Sequence, residues 1–163
     1  MVFRFQPMDE ARARAILTWH YEPPYEIYDP GGGDTAETLR SFLDPENAYY
    51  CIVGDEGDVV AYCCFGPDAQ VPGGDYSRAA VDIGLGVRPD QTGHKRGHVF
   101  VDAVLAFARA TFAAPRYRVT VARFNQRAQR VWEKTGFYTV QNFRRGDGLP
   151  FVVLELELEQ KLL

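Results

Sequence analysis

The chain has 163 residues, which suits one domain built on one core. A 46% hydrophobic and 25% charged composition is that of an ordinary globular protein, and a net charge of −4 argues against a general nucleic-acid binder. No apolar run approaches the roughly 20 residues of a membrane span, no signal peptide opens the sequence, and Cys51, Cys63 and Cys64 lack metal-ligand spacing. A reduced, cytoplasmic setting is the simplest expectation.

Val2 to Phe5 alternates and reads as a first strand stopped by Pro7. Asp9 is placed to cap a helix from Glu10 to about Trp19, with Ala11, Ala15 and Ile16 inward and Arg12 and Arg14 outward. Next comes an aromatic and acidic stretch in which Trp19, Tyr21, Tyr25 and Tyr28 interleave with Glu22, Glu26 and Asp29. Pro23 and Pro24 deny it a helix interior. Such a wall suits an amine-bearing substrate through cation–π and charge contacts. The same tyrosines could instead plug the end of a core. Gly31 to Gly33 offers a flexible exit.

Asp34, with Glu37 three residues on, forms a capping box for a helix to about Leu43. Tyr49–Gly54 and Val59–Phe65 then form a hairpin. In the next strand Val81, Ile83, Leu85 and Val87 alternate with Asp82, Gly84 and Gly86. A helix from Val99 to Phe112 is apolar on nearly every face, with Asp102 and Arg109 sharing the wet one. Between strand and helix lies Gln91-Thr92-Gly93-His94-Lys95-Arg96-Gly97-His98. A helix entrance supplies unpaired N–H groups and the positive dipole end, and glycines let them approach a ligand. This is the physics of a diphosphate cradle, although a basic turn can also be only a solvated loop. No GxxxxGK[ST] is present, and Gly84-Leu85-Gly86 lacks the third glycine of a dinucleotide fingerprint.

Strands at Tyr117–Ala122, Phe137–Phe143 and Phe151–Leu158 complete the pattern, the last with Leu154, Leu156 and Leu158 alternating against Glu155, Glu157 and Glu159. A helix from Asn125 to Thr135 turns Ala128, Val131, Trp132 and Thr135 inward and is ended by Gly136. The order β-α-α-β-β-β-α-β-α-β-β, with helices on both faces of a mixed sheet, is α/β or α+β in a single domain.

Two segments together resemble the GNAT superfamily of N-acetyltransferases. Val87-Arg88-Pro89 followed by Gly93-His94-Lys95-Arg96-Gly97 is similar to its acetyl-CoA loop. Asn125-Gln126-Arg127-Ala128 followed by Trp132-Glu133-Lys134-Thr135-Gly136-Phe137 is similar to its second motif. The loop departs from the family's Arg/Gln-x-x-Gly-x-Gly/Ala twice, with Thr92 at the first position and Lys95 at the first motif glycine.

The resemblance implies a mostly antiparallel sheet in which the central strand splays from its neighbour and leaves a slot for pantetheine. It implies that acetyl-CoA is held by Leu85, Gly86 and Val87, by Gly93 to His98, and by Asn125 and Trp132. Glycines at 84 and 86 fit close ligand approach or a local bulge. Asn125 could equally be only an N-cap.

Asp82 is the first candidate for the base that deprotonates the amine, and Glu22 the second. The Val87 amide is the expected oxyanion donor. Trp132 stands where the family usually has a tyrosine acid, and indole has no usable proton, so water or Tyr138 would protonate the thiolate. Trp19, Tyr21, Glu22, Tyr25 and Tyr28 are expected to bind the acceptor, a small-molecule amine or a peptide. An acyl-CoA sensor without chemistry and a structural domain without coenzyme A are the competing readings. The C-terminal strand could pair across a homodimer.

Overall fold

The described residues are 2–158 of a computed structural model, so Glu159 lies outside them. The strands are β1 (Arg4–Pro7), β2 (Tyr50–Val53), β3 (Val59–Phe65), β4 (Val81–Val87), β5 (Arg116–Ala122), β6 (Tyr138–Arg144) and β7 (Pro150–Glu157). The helices are α1 (Glu10–Ile16), α2 (Thr35–Leu43), α3 (Gly97–Thr111) and α4 (Gln126–Lys134). The element order is the expected one. The strands form one seven-stranded sheet, β1-β2-β3-β4-β5-β7-β6, in which β4 and β5 are the parallel pair and the other neighbours are antiparallel.

Alternation along the strands sorts side chains to two faces. On one face Ile83, Val119 and Leu154 meet Phe100, Val101, Val104 and Leu105 of α3 and Trp132 of α4. Each fully buried Val, Leu or Phe there contributes roughly 1.5–3 kcal/mol. On the other face α1 and α2 bury Ala13, Ile16 and Phe42 against Cys51, with Trp19 and Tyr62 packed alongside.

Several expectations need correction. Helix α1 ends at Ile16, and its inward face is Ala13 and Ile16, whereas Ala11 and Ala15 are exposed. The cap at Asp9 holds, its carboxylate accepting Arg12 N. Gly31 is packed rather than open, because a β-carbon there would stand 2.4 Å from the Leu17 carbonyl oxygen. Strand β7 has β5 on one side and β6 on the other, so it has no free edge with which to pair a second copy. Glu155 does not face solvent. It is 2% exposed, on the face opposite α3 and α4.

Candidate active site

The central feature is the parting of β4 from β5. Their register runs Val81↔Tyr117, Asp82↔Arg118, Ile83↔Val119 and ends there, although both strands continue. On the β3 side Gly66 N donates to Asp82 O and Arg88 N to Val60 O. The even-numbered residues of β4 therefore pair with β3, and Leu85 and Val87 turn their N–H and C=O groups towards β5. On β5, Arg123 N donates to Pro150 O on the β7 side, which turns Thr120 and Ala122 towards β4. The result is a slot with main-chain donors and acceptors on both lips.

The 20–29 loop crosses the mouth of the slot. The Tyr21 hydroxyl donates to Val87 O at 2.7 Å, and the Tyr28 hydroxyl accepts from Ala122 N at 3.3 Å and from Asn125 Nδ2 at 3.4 Å. Asp29 folds the loop, taking Tyr21 N on one oxygen and lying 3.1 Å from His20 Nδ1 with the other. Burial, reinforced by the charge of Asp29, pushes the Tyr21 phenol well above its ordinary value. Burial also raises Tyr28.

Beyond the slot, α3 begins at Gly97 with no side-chain cap. Among the described residues, the amides of Gly93, His94, Lys95, Gly97 and His98 donate to no protein acceptor. The loop is turned through Gly93 at φ +78° and Lys95 at φ +58°, both left-handed. The side chains of His94, Lys95 and His98 are exposed. Arg96 reaches back to Gln91 Oε1 at 3.2 Å. Gly97 also serves helix packing, since a β-carbon there would stand 3.3 Å from Val131 Cγ2 on α4.

The sequence-derived residues do not all converge. Tyr25 stacks obliquely on Phe124, with ring centroids 5.7 Å apart, and the Arg127 guanidinium lies 4.7 Å over the Tyr25 ring. Arg127 also borders the turn before α3, because a β-carbon on Gly93 would stand 3.8 Å from its Nη1. Trp19 instead leans on Tyr62 within the α1–α2 core. Glu22 is exposed, next to Tyr21 in the chain, and its carboxylate accepts no hydrogen bond from a described residue. Tyr138 lies on edge strand β6, 47% exposed and separated from β5 by β7.

Three expected roles change. Asp82 is buried, and its carboxylate accepts Arg118 Nε at 2.6 Å, Arg118 Nη2 at 2.9 Å and Gln70 Nε2 at 2.9 Å. A carboxylate held on all sides by donors beside a buried cation is a structural tie between β4 and β5, not a free base. Trp132 is 5% exposed and edge-on to Phe137, in the core rather than against the slot. Glycines 84 and 86 do not make room for a ligand. Their missing side chains are replaced by Cys64 and Tyr62, whose atoms would lie 2.6 and 2.4 Å from added β-carbons. Asn125 is the N-cap of α4, accepting Ala128 N at 3.1 Å while its amide nitrogen reaches Tyr28.

Phe124, Arg127, Gln70 and Arg118 were not singled out from sequence. The Asn-Gln-Arg segment at the start of α4 was the available signal for Arg127. The other three become visible only once strand register is known.

Residues 13–137 match the acetyltransferase (GNAT) family. The chain belongs to that family. The same fold occurs in the GNAT-family acetyltransferase from Bacillus anthracis (TM-score 0.71, 16% identity, covering 96% of this chain and 95% of that one). It occurs in the aminoglycoside N(6′)-acetyltransferase of Legionella pneumophila (TM-score 0.70, 20% identity, 95% and 91% covered). It occurs also in Campylobacter jejuni N-acetyltransferase PseH, solved with acetyl coenzyme A (TM-score 0.67, 13% identity, 97% and 100% covered). A search of curated protein sequences gives no match. Among the described residues no helix is long and apolar enough to cross a membrane.

Proposed function

We propose that this protein transfers the acetyl group of acetyl-CoA to a primary amine of a small molecule or peptide by direct attack. Two main-chain features carry this reading: the β4–β5 slot, and the amides of Gly93, His94, Lys95, Gly97 and His98 before and at the start of α3, which donate to no acceptor among the described residues. An N–H cluster at a helix N-terminus, with basic side chains around it, fits a diphosphate. The amide-lined slot fits the polar, extended arm that would follow.

Coenzyme A supplies the acetyl thioester. The chain's own groups supply alignment and electrostatics, which are the larger part of what an acyl transfer needs. Gly93 to His98 hold the diphosphate, and Lys95, His94 and His98 add positive charge beside it. Leu85 and Val87 present N–H groups to the slot, and the Val87 amide is placed to stabilise an oxyanion. Tyr21 and Tyr28 fix the acceptor loop to both lips, so the amine enters over an ordered aromatic surface.

A neutral amine is required, and a free alkylamine has a pKa near 10. With Asp82 committed to Arg118, the base in this reading is Glu22, exposed, next to Tyr21 in the chain, and accepting no hydrogen bond from a described residue. The thiolate, of ordinary pKa about 8.5, is a tolerable leaving group and takes its proton from water.

The test is release of free CoA thiol from acetyl-CoA across a panel of amines and peptides. Amine-dependent release supports the transferase. Saturable acetyl-CoA binding with no release from any amine would instead make the protein an acyl-CoA sensor. In Glu22→Gln, turnover should fall more at low pH than at high pH, because a substrate already deprotonated in bulk needs no base. An unaltered profile would remove Glu22 from the mechanism.

A further inference from the structure

Arg127 stands between the turn before α3 and the 20–29 loop. Its guanidinium carbon lies 4.7 Å from the centre of the Tyr25 ring. On the other side, the place where a β-carbon on Gly93 would stand is open except for Arg127 Nη1 at 3.8 Å. Among the described residues the guanidinium donates to no acceptor and has no ion-pair partner. Asp90, the carboxylate nearest Gly93 in the chain, is taken up by Arg88. The amides of Gly93, His94 and Lys95 also donate to no described acceptor. Unanswered donors thus come to one place from two elements, a side chain on α4 and main chain before α3. A ligand that answers both needs several acceptor oxygens and negative charge, which a diphosphate has.

The Tyr25 ring is tied to the other end of the slot. It packs on Phe124 at 5.7 Å, and Tyr28 packs on the same ring at 6.2 Å while its hydroxyl takes Ala122 N. Tyr25 N donates to the Glu22 carbonyl at 2.9 Å. The seat of the Tyr25 ring therefore fixes the turn of chain on which Glu22 sits. A planar guanidinium can cover a ring with its face and still offer N–H groups at its edge.

We propose that Arg127 is a positioning residue that couples the two ligand sites: its edge binds the diphosphate and its face holds Tyr25, so that cofactor binding sets the 20–29 loop. The coupling rests on the acetyltransferase reading. It is reciprocal, so removing the Tyr25 ring weakens the hold on the cofactor through Arg127. Lysine cannot replace arginine here, because an ammonium is a point charge without a planar face.

Coenzyme A binding is measured by calorimetry for the parent, Arg127→Ala, Arg127→Lys, Tyr25→Leu and the double variant Tyr25→Leu/Arg127→Ala. Arg127→Ala should bind about tenfold more weakly, the loss of a charge-assisted contact, and Arg127→Lys should recover only part of it. Tyr25→Leu should cost about threefold alone and nothing further once Arg127 is alanine. Inorganic pyrophosphate, followed by amide NMR, should shift Tyr25 and Glu26 together with Gly93 and His94, and Arg127→Ala should lose the response at Tyr25 and Glu26. Parental coenzyme A affinity in Arg127→Ala, full rescue by lysine, additive losses in the double variant, or pyrophosphate shifts confined to the turn would each overturn the coupling while leaving the acetyltransferase reading intact. A parent that binds no coenzyme A would overturn both.

Discussion

The Tyr28 hydroxyl accepts the amide hydrogen of Ala122 at 3.3 Å, the donor that a continued β4–β5 ladder would give to Leu85 O. The 20–29 loop thereby helps hold the slot open. Ala122 is fully buried, and leaving its N–H without an acceptor costs about 1–3 kcal/mol. Tyr28→Phe should lower stability by about that amount in urea unfolding, speed hydrogen exchange at Ala122, and weaken acetyl-CoA binding. Unchanged exchange at Ala122 would show that the hydroxyl does not hold this amide.

Lys95 sits at φ +58°, where a side chain costs about 1–2 kcal/mol. Glycine would remove that strain, at about 0.5–1 kcal/mol in extra unfolded-state entropy. Lys95→Gly should therefore melt at the same temperature or higher, while binding coenzyme A several-fold less tightly by calorimetry. A variant that binds as well as the parent would mean that the ammonium does not act on the phosphates.

Gly86 and Tyr62 are cross-strand partners, and an added β-carbon would lie 2.4 Å from the Tyr62 ring. Gly86→Ala should destabilise by at least about 1–3 kcal/mol, the usual cost of overpacking. Combined with Tyr62→Ala, the cost of the glycine substitution should largely disappear. A strictly additive double mutant would contradict the steric account.

Asp82→Asn leaves the Arg118 guanidinium buried without its counter-charge, a loss of about 3–5 kcal/mol. The expected outcome is a large drop in urea midpoint, with the pH profile of turnover per folded molecule unaltered. A stable variant with a changed profile would restore Asp82 as the base.

The sequence made the element order legible, because each segment carried its own period and stop signal, such as the Asp34 cap, the break at Pro89 and Gly136. It also exposed the glycine-rich basic turn that precedes α3, since the glycines and basic residues there are contiguous. It did not expose what depends on register. Asp82 and Arg118 are far apart in the chain and become partners only through the parallel β4–β5 pairing. Likewise, Gly84 and Gly86 read as ligand approach because nothing local shows Cys64 and Tyr62 filling the space. In α1 a small phase error was enough to exchange Ala13 for Ala11 and Ala15, since alanine does not discriminate a buried face from an exposed one. Glu155 alternated as expected, but the face it reached was covered by the 70–78 loop.

The most direct test is amide NMR of the protein with and without saturating acetyl-CoA. The account predicts large shifts at Leu85 and Val87 and across Gly93 to His98, with the latter group losing most of its response when pantetheine replaces the full cofactor. Binding that leaves the 93–98 amides unmoved, or no binding, would contradict the assignment of that turn as the diphosphate cradle.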